Sequence, residues 1–257
     1  MKKWQLTVCL LLLTFAGISQ EKPAAFKGGE WLRYKMSYSG FLRAGTAILE
    51  VEETSLNGKK VFHSKGTGWT SGMIKWFFKV DDLYESYFDK TATKPYLFKR
   101  KIDEGGYKKH RLTTFDYTSN KAYIQDFKNQ SDTTIVFSKV QDMLSSFYYL
   151  RNQETKGMKK GDEIAIDMFM DSKVYPFKLR FLGKDILNTK FGKVNCLVFR
   201  PLVQSGRIFK AQESVTIWIT DDVNKIPIKM KADLAVGYLR AELEAYKGLA
   251  SNFKRVD

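Results

Sequence analysis

The chain has 257 residues, with 43 Lys and Arg against 28 Asp and Glu, a formal charge of +15 and 44% hydrophobic residues. Two cysteines and two isolated histidines, His63 and His110, exclude a disulfide-rich scaffold and leave a transition-metal centre without a converging ligand set. No catalytic residue and no cofactor is expected, because neither a Gly-x-Ser-x-Gly elbow nor a phosphate-cradling Gly-rich loop occurs.

Lys2 and Lys3 lead into an apolar run from Trp4 to Ala16, and Gly17 and Ser19 supply small residues at its exit. This is the pattern of a secretory signal peptide, residues 1–19, and the run is too short to cross a bilayer. Cleavage after Ser19 removes Cys9 and both lysines, leaving one cysteine, Cys196, and a charge of about +13. Cys196 falls in an apolar strand-like run and is expected to be buried and inert. The exported part, residues 20–257, is expected to be a single β-rich domain in the periplasm or secreted medium.

Strand periodicity begins at once. In 31–38 the even positions are apolar or aromatic and most odd ones polar, the alternation of a strand with one wet face. Similar runs follow at 46–52, 60–66, 82–88, 96–102, 111–117, 121–127 and 133–137, punctuated by Asn57-Gly58, Lys94-Pro95, Gly105-Gly106 and Ser119-Asn120. Asp142 can cap a helix whose apolar residues Met143, Leu144, Phe147, Tyr148 and Leu150 recur at helical spacing. A second helical candidate is 71–79, where Met73, Ile74, Phe77 and Phe78 share a face; both helices are expected to cover the sheet. Strands resume at 163–170, 174–182, 194–202, 214–220, 226–234 and 238–246.

These runs predict a mainly β protein: a curved antiparallel sheet or incomplete β-barrel with one or two short covering helices. A weak echo at an offset of 132 positions pairs Lys27, Gly29, Glu30, Leu32 and Met36 with Lys159, Gly161, Asp162, Ile164 and Met168. Two similar halves, 26–140 and 158–247, would produce it, and so would two ordinary hairpins.

Several segments carry a resemblance. The opening Gly28-Gly29-Glu30-Trp31-Leu32-Arg33-Tyr34 with Ala44-Gly45-Thr46-Ala47, then Val80 to Ser86, Ser145 to Arg151, and Ile217 to Asp222 with Ile226-Pro227-Ile228, resemble the exported bacterial family known as domain of unknown function 3108. The resemblance implies an exported β-rich domain and no particular activity. A more distant likeness is to periplasmic lipoprotein carriers, which curve an antiparallel sheet into an incomplete barrel with helices over an apolar concavity; that likeness is one of architecture alone.

Three constellations bear on function. The acidic pairs Asp81-Asp82 and Asp221-Asp222 could serve hydrolysis only if they converge across a cleft; their composition is also that of turns. Basic residues concentrate at Lys99, Arg100, Lys101, Lys108, Lys109 and Arg111, on either side of the Gly105-Gly106 turn, where they could meet an anionic membrane or glycan surface or simply be solvated. Aromatic residues are abundant, with nineteen Phe and thirteen Tyr; most are expected in the core, and Trp69, Trp76, Phe77 and Phe78 around the second helix could line a pocket or simply pack.

The leading expectation is therefore a non-enzymatic binding protein for a lipid or amphipathic ligand, held in the concavity by Tyr34, Met36, Trp69, Trp76, Phe77, Ile166 and Met168. The alternatives are an envelope adaptor with a protein partner and a hydrolase of envelope polymers using the paired aspartates. Nucleic acid is not an expected partner.

Overall fold

In the computed structural model, which describes residues 24–202, 214–234 and 236–256, fourteen strands form one antiparallel sheet. The expected signal peptide lies outside the described residues. The strands are β1 (Glu30–Tyr38), β2 (Leu42–Leu56), β3 (Lys59–Thr70), β4 (Asp81–Asp89), β5 (Pro95–Glu104), β6 (Tyr107–Asp116), β7 (Lys121–Asp126), β8 (Ser131–Val136), β9 (Glu163–Met170), β10 (Lys173–Thr189), β11 (Gly192–Leu202), β12 (Val215–Thr220), β13 (Pro227–Asp233) and β14 (Tyr238–Lys247). Two helices interrupt them, α1 (Ile74–Phe77) and α2 (Met143–Arg151).

The topology is two meanders joined back to back. One runs outward from β1 to β8, the other from β14 to β9, and β1 pairs with β14. Within each meander, strands adjacent in sequence pair antiparallel, so the alternating pattern of each strand also fixes which face its neighbour buries. The edge strands β8 and β9 do not pair with each other, so the barrel stays open.

The two ends of the sheet nonetheless approach. The Gln141 amide donates to the Asp167 carbonyl at 2.9 Å and the Phe169 amide to the Gln141 carbonyl at 2.8 Å, tying the segment after β8 to β9. Phe169 then buries its ring against Phe115 of β6, 5.2 Å between centroids. At the β9–β10 turn, Asp171 reaches Arg100 on β5 at 2.6 Å and also engages Lys109 on β6.

The helix α2 fills the curl, packed on β3 and β4 on one side and β9 on the other. Asp142 caps it by accepting from the Leu144 and Ser145 amides at 2.8 and 2.9 Å, and the Ser145 hydroxyl oxygen in return accepts from the Asp142 amide. That reciprocal arrangement satisfies donors that the first turn would otherwise bury unpaired. Gly66 makes the close approach possible: a Cβ there would lie 3.2 Å from the Leu144 side chain. Tyr148 packs against Phe26 and Phe88, with centroids 4.5 and 5.5 Å away.

The second helix departs from expectation. α1 has four residues, none of them buried, and Met73, Phe77 and Phe78 are exposed instead of covering the sheet. The chain enters and leaves this turn along the sheet margin, where the Ser71 amide donates to Ala44 and the Gly105 amide to Lys79, so its apolar side has no sheet surface to reach.

Candidate functional site

At the end of α2, Arg151 is buried and completely engaged. It grips Glu30 of β1 with two bonds of 2.6 and 2.7 Å, and donates to the carbonyls of Asn224 at 3.0 Å and Ala25 at 2.9 Å. The rings of Phe26, Phe147 and Tyr148 surround the guanidinium at 5.3–5.8 Å. One side chain thereby joins the N-terminal segment, β1, α2 and the β12–β13 turn. The sequence carried no sign of this clasp, because its members lie far apart along the chain.

Beside the clasp lies a groove of about 440 Å³, bounded by the connection after α2 and the ends of β10 to β12. Met158, Phe181, Leu197 and Val223 contribute apolar surface. Lys156, Lys184 and Lys225 bring positive charge to the same groove, and Glu154, Asp221 and Asp222 negative charge. Lys184 pairs with Asp221 at 2.7 Å, and Lys225 donates to the Gln153 carbonyl at 2.6 Å. Asp222 closes the β12–β13 turn by accepting from Thr220 Oγ1 and from the Asn224 and Lys225 amides. The result is a partly apolar trough whose walls carry charges of both signs.

The four aspartates considered for hydrolysis do not converge. Asp81 and Asp82 open β4 at the end of the sheet that carries the β1–β2 and β5–β6 turns, whereas Asp221 and Asp222 sit in the β12–β13 turn at the opposite end. Asp82 accepts from the Asp103 amide at 3.2 Å, and burial together with a hydrogen bond to Glu104 pushes its carboxyl up to about 6.

The basic hairpin is split by strand alternation. Lys99, Lys101, Lys108 and His110 take one face and adjoin two grooves of about 450 and 290 Å³, which share Leu83, Lys101 and His110. Arg100, Lys109 and Arg111 take the other. Lys109 is only 9% exposed and holds Asp171, while Arg111 binds Asp126 at 2.8 Å. The expected basic surface is therefore corrected by half: three of its six cations are internal pairs that anchor the β9–β10 turn and β7, because every second residue of a strand points inward.

The seven residues expected to line a concavity are dispersed. Tyr34 belongs to the core with Leu32, Ile228 and Leu243, its hydroxyl without a hydrogen-bond partner among the described residues. Ile166 is buried and Met36 and Met168 half-buried. Trp69 is 39% exposed, and Trp76 and Phe77 are 87% and 85% exposed on the β3–β4 connection. None of the seven lines the grooves described above. The interior they were expected to share is taken by α2 and the rings of Phe26, Phe62, Phe88 and Tyr148.

Cys196 is buried, and burial pushes its thiol up to about 12.

An open antiparallel sheet curled around a capped helix defines a β-barrel-like protein. Residues 33–244 match the family described as protein of unknown function (DUF3108), and the chain belongs to that family. Among solved structures, it is similar to a beta-barrel-like protein of domain of unknown function DUF1849 from Brucella abortus, with a TM-score of 0.52 and 10% identity over 86% of this chain and 97% of that one. It is also similar to a candidate lipoprotein from Parabacteroides distasonis, with a TM-score of 0.34 and 11% identity over 89% of this chain and 100% of that one. A candidate exported protein with a YmcC-like fold from Bacteroides fragilis gives 0.33 and 8% over 86% and 97%. The first likeness is one of fold. Among curated proteins, none matches the chain.

Proposed function

We propose that this protein is an exported, non-enzymatic binding protein for an amphipathic, lipid-like ligand of the cell envelope, acting in the periplasm or beyond. The observation that carries the reading is the groove beside the Arg151 clasp, where Met158, Phe181, Leu197 and Val223 meet Lys156, Lys184 and Lys225. Apolar surface and cations in one trough suit a ligand with a short apolar body and an anionic head. Its volume of about 440 Å³ accommodates one acyl-sized moiety rather than a bundle of chains. The signal-peptide pattern of residues 1–19 supports export.

The test is native mass spectrometry of the exported chain incubated with lyso-phosphatidylglycerol. A one-to-one adduct is expected, and Met158→Glu, which puts a charge on the half-buried apolar surface, should abolish it while the chain keeps a cooperative thermal melt, lowered because Met158 packs against Phe181, Leu197 and Phe199. A clean apo mass, or an adduct indifferent to Met158→Glu, overturns the reading.

A further inference from the structure

Large apolar side chains gather along one rim of the sheet. Phe41 in the β1–β2 turn is 85% exposed, and Met73, Trp76, Phe77 and Phe78 stand out from the β3–β4 connection, with Val236 in the β13–β14 turn beyond them. The antiparallel order puts all three connections at the same end of the strands.

Hydrogen bonds knit them side by side. Tyr38 Oη donates to the Val236 carbonyl at 2.9 Å and Arg240 to the Gly40 carbonyl at 2.8 Å. The Ser71 amide donates to Ala44 at 3.0 Å, and the Gly105 amide to Lys79 at 2.7 Å. The Phe78 ring lies so close over Gly105, which has φ +56°, that a Cβ there would come within 2.5 Å of it. Tyr107 and Phe127, both about half exposed, extend the row onto the β5–β6 and β7–β8 turns.

This surface has a chemical character of its own. Lys75 lies within α1, and Lys79, Lys108 and Lys128 flank the aromatic row. Asp103 is shared by Lys79 at 3.5 Å and Lys108 at 3.7 Å, so one carboxylate answers two ammonium groups. The adjoining groove of about 450 Å³ opens among Lys101, Lys108, His110 and Lys128, with Asp81 and Asp103 as its acids. Monomeric soluble domains rarely display several contiguous large apolar residues without a use for them.

We infer that this rim docks the protein on an anionic lipid bilayer. Trp76, Phe77 and Phe41 enter the interfacial layer and the surrounding lysines meet the head groups. Two features favour a bilayer over a protein pocket. The apolar groups project from several turns at the same end of the sheet, which a deformable planar surface accepts together. The aromatic groups of the β3–β4, β5–β6 and β7–β8 connections also have lysines beside them, the pairing that aromatic and basic side chains make at a membrane interface. The strong positive charge of the whole chain adds attraction to such a surface. This inference does not rest on the ligand-binding reading, since Met158 lies in a different groove.

The test is co-sedimentation of the exported chain with phosphatidylglycerol vesicles and with pure phosphatidylcholine vesicles. Binding is expected to the anionic vesicles only and to weaken at high salt. The Trp76→Ala/Phe77→Ala double variant should bind about tenfold more weakly with an unchanged thermal melt, since neither residue is buried. Lys75→Glu/Lys108→Glu should weaken binding while leaving the melt unchanged. Absence of binding to phosphatidylglycerol vesicles, or binding indifferent to loss of Trp76 and Phe77, overturns the inference. So does a concentration-dependent dimer that the double variant abolishes in the absence of vesicle binding, which would give the rim to a second copy of the chain.

Discussion

The Arg151 guanidinium and the Glu30 carboxylate are buried together and joined at two points, 2.6 and 2.7 Å apart, so that α2 and the first strand share one desolvated ion pair. The mutual attraction of such a pair is largely offset by the cost of desolvating it, and the larger effect is the penalty of leaving one partner alone. Burial acts to lower the arginine's affinity for its proton, but its hydrogen bonds and attraction to Glu30 prevail and hold it above the ordinary value.

Arg151→Met should therefore destabilise the protein by about 3–5 kcal/mol, because Glu30 is left charged and unpaired in the interior. Glu30→Gln should cost less, since the amide oxygen still accepts one bond. Replacing both, as Arg151→Met with Glu30→Leu, should recover much of the loss. Urea unfolding of the three variants measures this, and a double variant as unstable as Arg151→Met would show that the pair acts through geometry instead of charge.

Asp142 leads to a pH dependence. Burial pushes its carboxyl up to about 6, although bonds from Ser86 and from the Ser145 and Leu144 amides pull the other way. Between about pH 4 and pH 6 the folded chain holds this proton while the unfolded chain has released it, so stability falls as pH rises through that window. The loss is on the order of 3 kcal/mol and is complete above the folded value. Asparagine still caps a helix. Asp142→Asn should thus flatten the slope and gain on the parent most at pH 8, as read from denaturation midpoints across pH. Asp82 titrates in the same range, so the comparison is between parent and variant, not between pH values alone.

Asp171 should act as a latch. Burial raises its pKa, but Lys109 and Arg100 outweigh that and hold the carboxyl below its usual range. Its contribution is therefore present at neutral pH and is lost as pH falls below the ordinary carboxylate range. Asp171→Ala should free the β9–β10 turn from β5 and β6 and leave Lys109 unpaired inside. Hydrogen exchange should then quicken at residues 164–174 more than in β1 to β3. Uniform acceleration across the sheet would show that the turn does not open by itself.

Cys196 supplies a reporter. With the thiol enclosed and raised to about 12, alkylation by iodoacetamide at pH 8 requires unfolding. Its labelling rate should follow global stability, increasing in Arg151→Met in proportion to the loss seen in urea. Rapid labelling of the folded parent would place the thiol in a locally opening region.

The sequence by itself determined the local units. Alternation announced the strands, reproducing Glu163–Met170 to the residue and falling short at β2 and β10, whose ends run past the alternating stretch into 42–45, 53–56 and 183–189. Asp142 and the apolar spacing behind it marked α2, because capping and helical periodicity are properties of a few neighbouring residues. Tight turns such as Asn57-Gly58 and Gly105-Gly106 then set their flanking strands side by side.

Only the tertiary structure decided what each face meets. Lys108 and Lys109 are adjacent in sequence, yet one lies in the open and the other inside against Asp171, a partner 62 positions away. Trp76 and Phe77, expected in the concavity, stand on the rim, because α1 runs along the sheet margin. Arg151, Glu30 and Asn224 carried no local signal, since the clasp exists only after the two meanders are joined along β1 and β14 and α2 is seated within the curl. Pairing across such distances is set by which surfaces the closing sheet leaves to be covered, and that information belongs to the fold as a whole.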